Sequence, residues 1–262
     1  MVIDFHVHLF PDKLAERAVA ELAARSSQTP EDGGTVAKTR ALMKKEGVDI
    51  SVVQNIATNA RQMHNVNAFA IELDREPDFV AFGSVHHEGD WEYELDFLKD
   101  GGIKGIKLHP DYQGFYVNDI KMQPIYEGIL KRGFALMFHS GLDMGLPMPI
   151  HFTPERAHDT LGLFRGEKVI FSHSGSFGMW DEAEKYILGE DIYIDTSMTS
   201  GFLEKEERER IYRLHDSSKI LFGTDMPWGG FKKEIDALCS LGFDDEWKEK
   251  VLYKNAKELL GL

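Results

Sequence analysis

The sequence predicts a single α/β domain over residues 1–262, folded as a (β/α)8 TIM barrel, on three observations. Short runs rich in Val, Ile and Phe recur along the chain, amphipathic stretches of helical period separate them, and the runs number eight. Several runs are apolar on both faces in their first half, the pattern of strands covered on both sides in a parallel sheet. Strand–helix alternation of this regularity builds βαβ units. Eight such units fill about 250 residues as a closed barrel. A doubly wound open sheet more often has five to seven strands, and no G-x-G-x-x-G follows any strand here.

The elements follow in order. VIDFHVH (2–8) leads into amphipathic segments from Pro11 to Arg25 and from Val36 to Glu46. ISVVQNIA (50–57) precedes Asn65 to Glu76, FVAFGSVH (79–86) precedes Trp91 to Lys99, and GIKGIKLH (102–109) precedes Pro124 to Lys131. FALMFHSG (134–141) opens a Met- and Pro-rich loop, 144–157, suited to a lid. A helix from Pro154 to Phe164 follows it, with the Thr153 hydroxyl as N-cap and Pro154 at the first helical position. KVIFSHSG (168–175), IYIDTSM (192–198) and ILFGTDMP (220–227) precede Asp181 to Leu188, Glu204 to Leu214 and Lys232 to Leu238, and Asp245 to Leu260 closes the chain. No linker, low-complexity stretch or charge block divides it.

Composition bounds the function. The net charge of -14 is spread along the chain and repels phosphate backbones, which argues against nucleic acid. One cysteine, Cys239, forms no internal disulfide, as expected in a reducing cytosol. No basic leader precedes the first strand and no run approaches 18 apolar residues, so the expectation is a cytoplasmic protein without a membrane partner. A small-molecule substrate is the expected partner, with a homodimer as the base-rate oligomer.

Histidine placement locates the site. In a barrel of this type chemistry sits at the C-terminal ends of the strands. Of 11 histidines, seven fall there: His6, His8, His86, His87, His109, His139 and His173. Chance would put roughly one or two there, taking strand ends as about a tenth of a barrel. Residues i and i+2 of a strand share a face, so His6 and His8 stand about 6.6 Å apart on one side, with Phe5 and Val7 on the other. Two imidazoles so placed can lean toward one ion. A lone buried histidine is more often a hydrogen-bonded core residue, but a pair beside Asp4 fits that description poorly.

Three further strand ends add donors: His139 in MFHSG, His173 in FSHSG and Asp225 in FGTDMP, each followed within two residues by Gly or Pro. Taken singly, Asp225 reads equally well as a helix cap and the histidines as core imidazoles. All of them at matching heights in one barrel favours a common site.

The ordered set DFHVH, GIKLHP, FHSG, FSHSG and FGTDMPW resembles the amidohydrolase superfamily of TIM-barrel metal hydrolases. It is most similar to the amidohydrolase-related branch that also includes aminocarboxymuconate-semialdehyde decarboxylase. The resemblance spans the first strand to the eighth. It implies one divalent ion, usually zinc with manganese as the alternative, held by His6, His8, His139 and Asp225, with His173 beside it for proton transfer or transition-state stabilisation. A bound Zn²⁺ lowers the pKa of its water to about 7. Asp225 could then carry the proton to a leaving group, and His173 could polarise the substrate carbonyl. This predicts hydrolysis of an amide, ester or lactone.

Lys107 leaves the ion count open, because binuclear members of the superfamily carry a carbamylated lysine on the fourth strand. In the one-metal branch Lys107 and its neighbour His109 would bind substrate, or hydrogen-bond at the barrel mouth. Phe10 and Trp228 are candidate pocket walls, although packing at the rim explains them equally well. A non-oxidative decarboxylase using the same ion, with His173 protonating carbon, is the second reading. Decarboxylase relatives tend to carry arginines that grip carboxylates. Few arginines fall near the mouth here, Arg156 and Arg165 being on or past a helix, which tilts the expectation modestly toward hydrolysis.

Overall fold

The computed structural model describes residues 1–31 and 34–262. Eight parallel strands appear in the expected order: β1 (Ile3–Val7), β2 (Ile50–Gln54), β3 (Phe79–Phe82), β4 (Gly105–Leu108), β5 (Ala135–Phe138), β6 (Val169–Phe171), β7 (Tyr193–Asp195) and β8 (Ile220–Leu221). Continuous ladders join β1-β2-β3 and β4-β5-β6-β7-β8. Two sparse seams close the circle. Between β3 and β4, Gly83 N–H donates to Gly105 O (2.9 Å) and Lys107 N–H to Gly83 O (2.8 Å). Between β8 and β1, Phe5 N–H donates to Phe222 O (2.7 Å), Asp225 N–H to His6 O (2.8 Å) and His8 N–H to Met226 O (2.6 Å). Asp4 reinforces that second seam, since its carboxylate accepts the N–H groups of His6 and Thr224 at 3.0 Å each.

Every strand ends earlier than its apolar run suggests. The ladders stop where the mouth begins, and the residues beyond turn off the sheet. FHSG shows why glycine sits there. Gly141 has φ +91, and a Cβ on it would lie 2.3 Å from Phe177 N, where the segment after β6 crosses over.

The barrel is packed rather than hollow. Ile3, Phe5, Val52, Val80, Phe82, Ala135, Met137, Ile170 and Leu221 form its interior cluster. Ala256, Leu259 and Leu260 of the last helix plug the lower end. Gly105 makes room for Phe82, whose ring would lie 2.3 Å from a Cβ there. The larger cluster lies between strands and helices.

Three expectations need correction. Phe5 packs inside the barrel against Phe82 and Val7 in the outer cluster, so the two do not share a face. The register of β1 against β2 shifts between Asp4 and Val7, which breaks the alternation. The predicted helix 154–164 is two short ones, Pro154–His158 and Leu161–Phe164. Between them the Thr160 hydroxyl donates to Ala157 O (2.7 Å), competing with the helical ladder. The last predicted helix runs as Asp245–Glu249 and Asn255–Leu260, joined through a π-helical turn at Lys250–Lys254. No helix among the described residues is long and apolar enough to cross a membrane.

Candidate active site

At the C-terminal mouth, His6, His8 and Asp225 converge on the β8–β1 seam. His6 Nε2 lies 3.1 Å and His8 Nε2 3.2 Å from the same oxygen, Asp225 Oδ1. The other nitrogen of each ring decides what these contacts are. His8 Nδ1 faces the backbone carbonyl of Gln54 at 2.9 Å, and a carbonyl only accepts. His6 Nδ1 faces Asp195 Oδ2 at 2.8 Å and the Ser197 hydroxyl at 3.1 Å. That hydroxyl spends its own hydrogen on Asp195 Oδ1, so it too only accepts. Both rings therefore carry their hydrogen on Nδ1 and aim an Nε2 lone pair at a carboxylate oxygen.

Acceptor facing acceptor is repulsive unless something positive lies between. A proton on either ring would relieve only its own contact, whereas one cation relieves both. Among the described residues the donor nearest His6 Nε2 is Lys107 Nζ, at 3.4 Å. The three donor atoms lie within 4.8 Å of one another, a set that fits a divalent ion. Burial holds His6 well below the ordinary imidazole pKa, helped by the Lys107 charge, so the ring is neutral and its lone pair available. Burial pushes the Asp225 carboxyl up, but the neighbouring histidines outweigh it and keep it below its ordinary value.

His139 stands outside this group of three. Its Nδ1 is 3.2 Å from His173 Nε2, and its buried Nε2 has no hydrogen-bond partner among the described residues. Burial, with His109 and His173 close by, keeps the ring neutral. An orphaned imidazole nitrogen in a buried mouth is a further observation in keeping with a ligand role. His139 also belongs to a second group, with His109 and Asp143. His109 stacks on it with centroids 4.1 Å apart, accepts the Tyr112 N–H at Nδ1 (3.3 Å) and donates from Nε2 to Asp143 Oδ2 (3.1 Å).

His173 is fixed from behind. Its Nδ1 faces the Ser197 hydroxyl (2.9 Å) and carbonyl (3.4 Å), both acceptors, so Nε2 holds the lone pair and His139 Nδ1–H donates to it. Burial lowers its pKa against the pull of Asp225 and Asp195. His173 (φ 58), Ser174 (φ 56) and Asp225 (φ 66) all occupy the left-handed region, at a cost of roughly 1–3 kcal/mol each. Asp195 helps hold the first two, accepting His173 N–H on its carboxylate (2.9 Å) and Ser174 N–H on its carbonyl (2.7 Å).

Lys107 is buried on β4, its ammonium pushed down to about 8 by burial against the pull of Asp195 and Asp225. A cleft of about 610 Å³ lies over these groups; Phe10 and Trp228 line it, as do Lys107, His109, His139, His173 and Asp225. His86 and His87 stack on each other, and neither lines the cleft. Of the loop expected as a lid, Met144 and Gly145 reach the cleft.

Sequence reasoning missed Asp195, Ser197, Asp143 and the Gln54 carbonyl. The rule applied to the histidines would have found Asp195, which also ends a strand. Nothing in the sequence marks Asp143, and Gln54 acts here through its backbone. The arginine expectation is corrected too. Arg25 and Arg61 line the cleft, brought in by the first helix and the loop after β2, segments distant from the motif-bearing strand ends.

Fold and mouth together define a TIM-barrel enzyme of the metal-dependent kind. The chain belongs to the amidohydrolase family (Amidohydro_2), whose model matches residues 3–262. No curated protein sequence matches it. Among solved structures it is similar to an uncharacterized TIM-barrel protein from Bordetella bronchiseptica, with 20% identity and a TM-score of 0.78 over 99% of this chain and 98% of that one. It is also similar to a dihydroxybenzoic acid decarboxylase from Polaromonas sp. JS666 with bound manganese and 2-nitroresorcinol (16%, TM-score 0.73, 100% and 97% covered). A third is a "probable 2-pyrone-4,6-dicarboxylic acid hydrolase" from Acinetobacter baumannii with citric acid bound (17%, TM-score 0.68, 100% and 99% covered). At these identities the likeness carries the barrel fold.

Proposed function

We propose that the chain is a metal-dependent hydrolase of a small carbonyl compound: an amide, ester or lactone. The observation that carries this reading is the single carboxylate oxygen, Asp225 Oδ1, faced by two imidazole lone pairs. On this reading His6, His8, Asp225 and, through its orphaned Nε2, His139 hold one divalent ion, zinc rather than manganese. When bound, such an ion supplies Lewis acidity and lowers the pKa of a water to about 7.

The chain's own groups supply the rest. Asp225, held ionised by its neighbours, accepts the proton of the attacking water and passes it to the leaving group. His173 is neutral with its lone pair on Nε2, so it takes a proton before it can give one. That state does not polarise a carbonyl or protonate carbon. It suits a relay that receives the water's proton from Asp225 and hands it to the leaving group, and it requires Nε2 to exchange His139 for the substrate. Burial of Lys107 between the seam and Asp195 supports a positioning role near the anionic groups. One ion is proposed here. A second ion on a carbamylated Lys107 would show as a metal stoichiometry near two.

Decarboxylation is the second reading. Arg25 and Arg61 on the cleft wall favour it, because guanidinium groups suit a substrate carboxylate. The likeness to a decarboxylase fold is compatible with either chemistry.

Metal analysis of the purified protein, followed by a substrate panel scored for acid release and for CO₂ release, tests both readings. Hydrolysis predicts acid release that is lost on chelation and restored by zinc. A His173→Asn variant is expected to lose about 10²–10⁴-fold in turnover, the range for general acid–base proton transfer. Full activity in that variant would remove His173 from the scheme.

A further inference from the structure

The cleft is larger than its chemistry requires. About 610 Å³ is the size of a site that encloses a drug-sized ligand, whereas the reacting groups occupy only its floor. The excess is bounded by two helices. Helix 12–26 sends Ala15 and Val19 into the core. Its adjacent face, Leu14, Ala18 and Leu22, repeats at four-residue intervals and lines the cleft instead. Leu14 is 58% exposed there, and neither Leu14 nor Leu22 packs against a core cluster. Val66 and Phe69, one turn apart on helix 63–73, line the same cleft with half-buried side chains that also pack against the outer core cluster.

These apolar side chains line one cleft with His8, His173 and Asp225, interspersed with Glu21, Arg25 and Asn65, and form an apolar slot beside the reacting groups. We infer that this slot is the specificity subsite of the enzyme. It takes an extended apolar arm, an alkyl or aryl chain, on a substrate whose polar end is processed at Asp225 and His173. The inference rests on the proposed metal site for where the polar end lies. The occupant is set by continuity: the slot opens onto the site floor, so the group that fills it is joined to the group that reacts there. A short hydroxy acid would leave the exposed Leu14 uncovered and the half-buried Leu22 without an apolar neighbour from the substrate.

The test is a homologous series of straight-chain hydroxamates, from acetohydroxamate to octanohydroxamate, titrated calorimetrically into zinc-loaded and metal-free protein. The expected result is an affinity that rises about fourfold for each methylene that enters the slot. In Leu14→Asp and Leu22→Asp variants the octano-to-aceto ratio falls toward one. Leu14 is exposed, so its variant keeps the fold and circular dichroism verifies it. A flat series on wild-type protein overturns the inference. So does a change from dimer to monomer in Leu14→Asp measured by light scattering, which would assign the slot to a second copy of the chain. The metal is a separate axis. A chain-length dependence present in both loaded and metal-free protein, with no gain from zinc, upholds the slot and counts against the metal centre.

Discussion

Among the described residues three groups set two imidazoles and a carboxylate within one ion's reach. In His6–His173–Asp195 the carboxylate already accepts the His6 N–H, which leaves His6–His8–Asp225 and His109–His139–Asp143 to compare. Hydrogen positions separate them. In the first, both rings have their N–H pinned elsewhere, by Gln54 O and by Asp195, so both lone pairs meet the carboxylate. In the second, His109 accepts the Tyr112 N–H and so turns its own N–H toward Asp143. One group is short of positive charge; in the other the His109–Asp143 pair is already satisfied and only His139 Nε2 is left over. Residue type and distance alone would rank them equally; the groups behind each ring decide which one calls for a cation.

The largest expected effect comes from exchanging the two carboxylates for amides. Asp225→Asn removes the negative charge that both lone pairs face. Metal content should fall from about one per chain toward zero, and turnover by about 10³-fold, since the ion supplies several kcal/mol of transition-state stabilisation. Asp143→Asn keeps an acceptor for the His109 N–H, so its metal content should stay near wild type. Equal metal loss in the two variants, measured by elemental analysis, would erase the distinction drawn here.

The second effect addresses the residue behind the ring. Asp195 accepts His6 Nδ1–H, both the backbone N–H groups of His173 and Ser197, and the Ser197 hydroxyl. Asp195→Asn presents an N–H₂ or a weaker acceptor to His6 and frees its tautomer. The expected loss in metal affinity is about 10–100-fold, the usual range for a group that orients a ligand. Ser197→Ala leaves the His6–Asp195 bond in place and should cost less in affinity, while ¹⁵N chemical shifts of His173 should show its Nδ1–H no longer fixed. An Asp195→Asn affinity within twofold of wild type would mean that the tautomer of His6 does not control binding.

The same logic explains what could be read from the sequence. Strand order and site height followed from apolar runs ending in polar residues, because a buried parallel strand must be apolar and a barrel puts its chemistry where the strands stop. HVH, FHSG, FSHSG and TDMP could therefore be placed at one mouth. What sets the tautomers could not. Gln54 contributes a carbonyl that every residue has, and Asp143 sits in a loop without pattern. The left-handed turns at His173 and Asp225 fall on residues that rarely adopt them. The shift in β1 that parts Phe5 from Val7 depends on pairing with β2 and β8, which is long-range. Arg25 reaches the cleft only because helix 12–26 lies across it, and its helix period alone gives no sign of that wall.

The smallest expected effect extends the comparison to a histidine at the opposite end of the barrel. His215, just after helix 205–214, accepts the Gly189 N–H at Nδ1 (3.1 Å) and donates from Nε2 to Ile192 O (2.9 Å). One donor and one acceptor satisfy the neutral ring completely, so no cation is called for. Burial lowers its pKa below the ordinary 6.5, against the bond to Ile192 and the charge of Asp216. The unfolded chain therefore takes up the proton first as pH falls. The stability His215 contributes is fully present above about 6.5 and is lost as pH drops through the lower folded value. His215→Asn keeps an acceptor but leaves Ile192 O unpaired, at a cost of about 1–3 kcal/mol at pH 7.5 in urea unfolding. Between pH 7.5 and 5.0 the gap between variant and wild type should narrow, because only the wild type loses this contribution, and metal content should not change at all. A gap that widens with acid would mean that His215 is protonated in the folded protein, and that the donor–acceptor reading used at both ends of the barrel is unsound.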